Sequence, residues 1–159
     1  MGTLFLLGIS TGAASSCCDL DPTEPYREGP DVRPIIPPSL HPPFGNYAHG
    51  VEVPAGARIL ISSGQLAITA DGQIPDGAEA QADLIFSNLD AILAEGGMAR
   101  ADVLRLAAFV TDRAQFAPYM AARDRWLDGT GVVPASTLVI VSGFTRPEFL
   151  VEIELWAAK

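Results

Sequence analysis

The chain has 159 residues, 48% of them hydrophobic, which is enough for one domain with a buried core. Its net charge of −9 repels nucleic-acid phosphates and anionic membrane surfaces, so neither is an expected partner. The adjacent Cys17 and Cys18 exclude a disulfide framework, and the histidines His41 and His49 lack metal-ligand spacing, so we expect no metal site.

Residues 1–40 are predicted to form an N-terminal extension to a domain at 41–159. The apolar run 4–9 faintly resembles a signal peptide, but no basic residue precedes Arg27. Residues 19–43 are rich in Pro, Asp and Glu, which is typical of an extended, mostly unpacked linker. We expect a disordered tail or an upstream-shifted start in a cytoplasmic protein, with export as the alternative.

The domain begins with two short strand signals. Residues 49–53 and 58–63 flank a turn-like Pro-Ala-Gly at 54–56, which predicts a β-hairpin. Gly64 and Gln65 are then expected to end the second strand.

The first predicted helix follows a loop. Asp76, with Glu79 three residues later, is typical of a capping box at a helix start. Apolar residues at helical spacing then continue to Glu95. The glycine pair at 96–97 is expected to end the helix.

The second half of the domain alternates strands with one more helix. We predict a strand at 102–111 and a helix from about 114 to 128. Pro118 is compatible with that helix only in its first turn. Two more strands are predicted, at 135–142 and 149–157.

This β-β-α-β-α-β-β order predicts an α+β domain with two helices on one face of a mixed sheet. The third and fourth strands are apolar on both faces. Strand alternation places Val103, Ala107 and Phe109 opposite Leu104, Leu106, Ala108 and Val110, and Thr137, Val139 and Val141 opposite Leu138 and Ile140. The second apolar face requires cover, so we expect other subunits to bury it, or else the linker to fold back over it.

Several short sequence motifs follow one another along the predicted domain. They are YAHGV at 47–51, SSGQ at 62–65, Asn88-Leu89, AAFVTD at 107–112, PAST at 134–137 and VEIE at 151–154. In this combination, over about 42–158, the chain resembles the Rid (reactive intermediate deaminase, or YjgF) family. The resemblance implies a chorismate-mutase-like fold and a homotrimer whose sheets form a central barrel, with small-molecule clefts between subunits. It also implies hydrolysis of enamines or imines, such as 2-aminoacrylate, to a keto acid and ammonia without a cofactor.

The resemblance also implies roles for individual residues. Glu152 matches the glutamate that holds the attacking water, and Tyr47 matches an aromatic residue that lines the cleft. The loop that faces the ligand matches Ser63, Gly64 and Gln65. Each has an ordinary alternative: Glu152 and Glu154 could solvate a strand face, Tyr47 could pack at the domain edge, and the loop could be a strand-ending turn.

One position departs from the family pattern. Ser136 stands where the well-studied deaminases carry an arginine that grips the substrate carboxylate. Losing such a buried charged pair costs ~2–5 kcal/mol, or roughly 30-fold to several thousand-fold. Met120, where a polar residue is common, is a second departure. The chain therefore resembles an arginine-less branch, and Ser136 is expected to line a more apolar pocket.

Another arginine of the chain could take over the carboxylate-binding role of the arginine that Ser136 replaces. We expect Arg58, Arg105 and Arg146 to be surface charges or partners in structural ion pairs, and Arg123 and Arg125 to be solvated helix residues.

The sequence leaves open whether the chain is an enzyme. The leading hypothesis is hydrolysis of an enamine, an imine or a related small electrophile that need not carry an α-carboxylate. The alternative is a non-catalytic trimer that binds a small metabolite or acts as an accessory protein. The ribonuclease activity described for some relatives is disfavoured by the acidity of the chain.

Overall fold

The computed structural model describes residues 32–159. Its strands and helices, in chain order, are β1 Arg33–Ile35, β2 Gly50–Glu52, β3 Ile59–Ile61, β4 Gln65–Leu66, α1 Ala78–Glu95, β5 Val103–Val110, α2 Phe116–Leu127, β6 Ala135–Ile140 and β7 Val151–Ala158. Neither α1 nor α2 has the length and apolar character that a membrane crossing requires.

The main sheet has the strand order β3-β7-β5-β6, and β4 adds a short pairing to β7. β5 and β6 run parallel because α2 carries the chain back between them, whereas β7 is antiparallel to β3, β4 and β5. The sheet is therefore mixed, and the predicted α+β class is confirmed. β7 lies in the interior of the sheet, so its backbone is held by neighbours on both sides.

Both helices pack on one face of this sheet, as predicted. Leu106 of β5 and Ile153 of β7 are fully buried against Ile85 and Leu89 of α1. Gly97 has a φ of +67° just after α1, the left-handed conformation expected of a glycine that ends a helix. Pro118 is the third residue of α2 and lies in its first turn, where its missing N–H costs no helical hydrogen bond.

The predicted hairpin is wrong. β2 pairs with β1, while β3 pairs with β7, so the two strands that flank the Pro-Ala-Gly turn belong to different sheets. Eight-residue β7 offers β3 a longer, apolar partner than three-residue β2 does. Neither β1, inside the expected linker, nor β4, where a strand was expected to end, was predicted.

The predicted capping box is also wrong. α1 begins after Gly77, whose φ of +84° makes it the turning point of the chain, so Asp76 lies too early to cap the helix. Gln81 ties the helix start to the rest of the domain instead. Its side-chain amide donates to the Pro75 and Glu148 carbonyl oxygens, and its Oε1 accepts from the Leu150 N–H.

A β-bulge in β5 changes which of its residues face the helices. The register with β7 shifts between Val103 and Arg105, so Val103 joins the core rather than sharing a face with Ala107 and Phe109. Arg105 lies on the side of the sheet away from the helices. Strand alternation alone does not predict such a shift, because a bulge adds one residue to the count.

The side of the sheet away from the helices, which we call the open face, carries exposed apolar side chains. Ile59 is 50% exposed, Ile61 59%, Val139 43% and Trp156 40%. The described part of the expected linker, 32–43, leaves these side chains uncovered, while residues 1–31 lie outside the described part. If this face is covered as predicted, the cover comes from other copies of the chain or from residues 1–31.

Candidate functional site

Glu152 lies on β7 and faces the open side of the sheet. It pairs with Phe109 of β5 on one side and with Leu66 of β4 on the other, so its backbone is fixed by two strands. Its side chain is half-buried. Burial, together with the nearby negative charge of Glu154, raises the pKa of the Glu152 carboxyl above its ordinary value of 4.5.

Gly64 is the residue against which the Glu152 carboxylate packs. A Cβ placed on Gly64 would lie 1.8 Å from Glu152 Oε1 and 2.7 Å from its Cδ. A side chain of any size at this position therefore collides with the carboxylate. The structure thus brings together two of the predicted site residues and gives a physical reason for the glycine.

Gly64→Ala is expected to displace the Glu152 side chain without unfolding the domain. The clash falls on the end of a flexible side chain, which swings away at little cost to the fold. We expect at least a tenfold loss of any activity that depends on Glu152, with an unchanged circular dichroism spectrum. Gly50→Ala is the matched control, because its Cβ would meet only Ile35 Cβ at 3.8 Å. Equal activity in both variants would contradict the assigned contact.

The rest of this loop is held by Ser62 rather than by Ser63. The Ser62 hydroxyl is buried and accepts a hydrogen bond from the Leu155 N–H at 2.9 Å. Ser63 itself is exposed, and the Gln65 side-chain amide donates to its carbonyl oxygen at 3.3 Å. Ser63 is therefore free to face a ligand, while the anchoring role of Ser62 depends on a long-range contact that sequence reasoning missed.

Tyr47 and Ser136 lie at the other edge of the sheet. Ala48, which follows Tyr47, forms a parallel bridge with Ala135, which precedes Ser136. The Tyr47 hydroxyl accepts a hydrogen bond from the Phe44 N–H at 3.3 Å. These two predicted residues thus flank a single backbone bridge at the start of β6.

Within one chain the two halves of the predicted site do not meet. Ser136 pairs with Leu106, which is buried on the helix side, whereas Glu152 pairs with Phe109 on the open face. Two strand spacings and three residues separate their backbones, which amounts to roughly 14 Å. Glu152 with the loop from Ser63 forms one half, and Tyr47 with Ser136 forms the other.

Arg105 and Arg146 form ion pairs, as expected, whereas Arg58 donates to a backbone carbonyl and Arg125, expected to be solvated, is half-exposed but ion-paired. Arg146 pairs with Glu148, Arg58 donates to the Gly96 carbonyl oxygen, and Arg125 pairs with two acidic residues of α1. The fourth, Arg105, pairs with Glu154 at 3.9 Å.

Arg123 is not solvated, which corrects the prediction. It is only 1% exposed, and Gly45 lies close to its guanidinium: a Cβ placed on Gly45 would be 3.7 Å from Arg123 Nη2. Its guanidinium donates to Asp124 Oδ1. Helical periodicity does not reveal a loop that folds over a charged position.

Metal ligands are not clustered in the part of the chain that the structure describes. No group of three or more His, Cys, Asp or Glu side chains in residues 32–159 is arranged to hold a metal ion. Cys17 and Cys18 lie outside the described residues.

The strand order, with both helices on one face and a half-buried carboxylate on the other, defines a YjgF-like α+β domain. A profile described as Endoribonuclease L-PSP matches residues 39–159, and the chain belongs to this family, the Rid (YjgF) family that the motifs resemble. The family assignment made from the sequence is therefore confirmed.

Individual relatives agree with that assignment. A RutC family protein of Aquifex aeolicus is 32% identical over 129 residues, covering 80% of this chain and all of the relative. The 2-iminobutanoate/2-iminopropanoate deaminase of Escherichia coli is 27% identical over 118 residues, covering 73% of this chain and 89% of the relative. The crystal structure of the Rid protein YyfB from Yersinia pestis superposes with a TM-score of 0.71 at 31% identity, covering 80% of this chain and 98% of YyfB.

Proposed function

We propose that this chain hydrolyses a small enamine or imine to a carbonyl compound and ammonia, in clefts at the seams between three copies. Deamination of this type is the activity named for the Escherichia coli relative. The observation that carries the proposal is the Glu152 carboxylate, half-buried on a rigid strand and packed against Gly64. Such a group is well placed to orient a water molecule and to exchange a proton with it.

The reaction balances without a cofactor. An enamine first tautomerises to its imine, and water then adds to the C=N carbon to give a carbinolamine. Glu152 accepts the proton that the water loses and delivers it to the nitrogen. Glu152 then takes the hydroxyl proton of the carbinolamine and passes it to the nitrogen, so the C–N bond breaks, ammonia leaves and the C=O bond forms. A carboxyl group whose pKa is raised by burial and by Glu154 suits this exchange, because it holds and releases a proton nearer to neutral pH.

The separation of the two half-sites supports a location at the seams. Because Ser136 and Glu152 lie on opposite faces of one sheet, a shared pocket requires Ser136 from one copy and Glu152 from the next. The exposed apolar side chains of the open face supply the surface that such an assembly buries. We therefore assign Glu152, Ser63 and Gly64 to one wall of the cleft and Tyr47 with Ser136 to the other. Gln65, whose register partner is the buried Ile153, supports the first wall through its hydrogen bond to the Ser63 carbonyl oxygen.

The direct test is release of ammonia. The purified protein is mixed with a dehydratase that generates 2-aminoacrylate, and separately with a panel of uncharged imines. We expect acceleration over buffer, and a preference for the uncharged imines because Ser136 offers no positive charge to a carboxylate. No acceleration with any imine would defeat the enzymatic proposal.

Ser136→Arg is expected to shift the preference toward carboxylate-bearing imines. Restoring a charged pair worth ~2 kcal/mol would raise kcat/KM for 2-aminoacrylate by roughly 30-fold relative to the uncharged imines. Ser136→Met is the matched control, since it adds length without charge. If the Arg and Met variants behave alike, Ser136 does not face the substrate.

A second function is favoured by Ser136 itself. A cleft without the family arginine can bind a metabolite without turning it over, so a non-catalytic binding trimer is the alternative. Thermal-shift screening against keto acids and small aromatic compounds separates the two. A compound that stabilises the protein, combined with no turnover of any imine, would favour binding.

A further inference from the structure

Three charged residues of neighbouring strands share the open face. Alternation along β7 places Glu152 and Glu154 on the same side, two residues apart. Opposite Glu154 stands Ala107, whose small side chain leaves room for Arg105, two residues earlier on β5, to reach across. Arg105 Nη1 lies 3.9 Å from Glu154 Oε1, and its Nη2 donates to the Thr137 hydroxyl at 3.3 Å.

We propose that Arg105 and Glu154 are positioning residues for Glu152. Together, this ion pair sets the net charge beside the Glu152 carboxylate on the open face. The role of this pair in catalysis rests on the proposed function of Glu152. Neither residue is assigned a contact with the substrate. Both act through Glu152.

Within the described chain, the charged side chain that raises the pKa of Glu152, after burial, is that of Glu154. β4 presents Leu66 and β5 presents Phe109, both of them uncharged. The charged side chains that the register of the described sheet places on the open face are Arg105, Glu152 and Glu154. Burial and the charge of Glu154 raise the pKa of Glu152. From the Arg105–Glu154 ion pair we infer that Arg105 offsets part of the Glu154 charge.

The two partners therefore act on Glu152 with opposite signs. Removing the charge of Glu154 leaves Arg105 unopposed and lowers the pKa of Glu152. Removing Arg105 leaves Glu154 uncompensated and raises the pKa further. A merely structural ion pair would affect stability in both variants but would not move the titration of Glu152 in opposite directions.

The test is a titration of Glu152 in the assembled protein without substrate. Carbon-13 carboxyl resonances of labelled glutamate are followed against pH, and the Glu152 signal is assigned by its absence in Glu152→Gln. We expect its midpoint to fall in Glu154→Gln and to rise in Arg105→Met. Glu52→Gln, which removes a carboxylate from the separate β1–β2 sheet, is the control and is expected to leave the midpoint unchanged.

The outcomes separate this inference from the proposed function. Midpoints that stay fixed, or that move the same way in both variants, would overturn the role of the pair even if the protein is an active deaminase. Opposite shifts in a protein that hydrolyses no imine would support the electrostatic coupling and sink the deaminase proposal alone. If the protein is active, the acid limb of its pH–rate profile is expected to move to lower pH in Glu154→Gln and to higher pH in Arg105→Met.

Discussion

Glu152→Gln is expected to lower imine hydrolysis by about 10²- to 10⁴-fold, the range typical of removing a general acid–base group. Glutamine keeps the shape of the side chain but neither accepts nor returns a proton. Ammonia release under saturating imine is the measurement. The loss should fall mainly on kcat, because the side chain is assigned to the reacting water rather than to substrate binding.

The same variant is expected to retain its fold and assembly. Since the pKa of Glu152 is raised in the folded state, folding binds protons at this site, and the stability it contributes is lost as pH rises above 4.5 through the raised value. Glu152→Gln should therefore match the wild type in thermal stability near pH 4 and equal or exceed it at pH 7. Near-normal hydrolysis by this stable variant would refute the role assigned to Glu152.

The second large effect is expected from a charge on the open face. Ile61 is 59% exposed in the single chain, so Ile61→Asp should leave the subunit folded, as surface substitutions usually do. If three copies bury this face, the same change places an unpaired carboxylate in each contact, at about 3–5 kcal/mol. We expect the assembly to dissociate and activity to disappear with it.

Ala91→Asp is the control for this experiment. It adds the same charge at an exposed position on α1, and we expect it to remain assembled and active. Sedimentation velocity distinguishes the two variants at matched concentration. An Ile61→Asp protein that sediments like the wild type would place the subunit contacts elsewhere.

Local patterns predicted the main sheet and helices well. Both helices, the three long strands and the shared face of Glu152, Glu154 and Trp156 follow from spacing alone, because helices and strands impose fixed periods on their apolar residues. The family motifs then placed the site residues in order along the chain. These features depend on neighbours in sequence, which is what periodicity reports.

The failures all depend on contacts between distant segments. β2 pairs with β1 instead of β3, a bulge moves Val103 into the core, and Gly45 lies against the buried Arg123. The reason for Gly64 is likewise a side chain 88 positions further along the chain, Glu152. Short strands and single charged residues carry too little local signal to specify such partners.

The separation of Ser136 from Glu152 has the largest consequence for function. Motif order alone suggests that both residues line one pocket, yet the sheet register turns them to opposite faces of the chain. The proposed pocket is compatible with the register if a second copy supplies one of its walls. The catalytic proposal therefore depends on assembly more than on any single side chain.

The mass of the native particle tests this dependence most directly. Light scattering on the purified protein at micromolar concentration is predicted to give three times the 16.7 kDa of the chain. A particle with the mass of one chain would leave the open face in water and the two half-sites apart, which would contradict a catalytic cleft shared between copies.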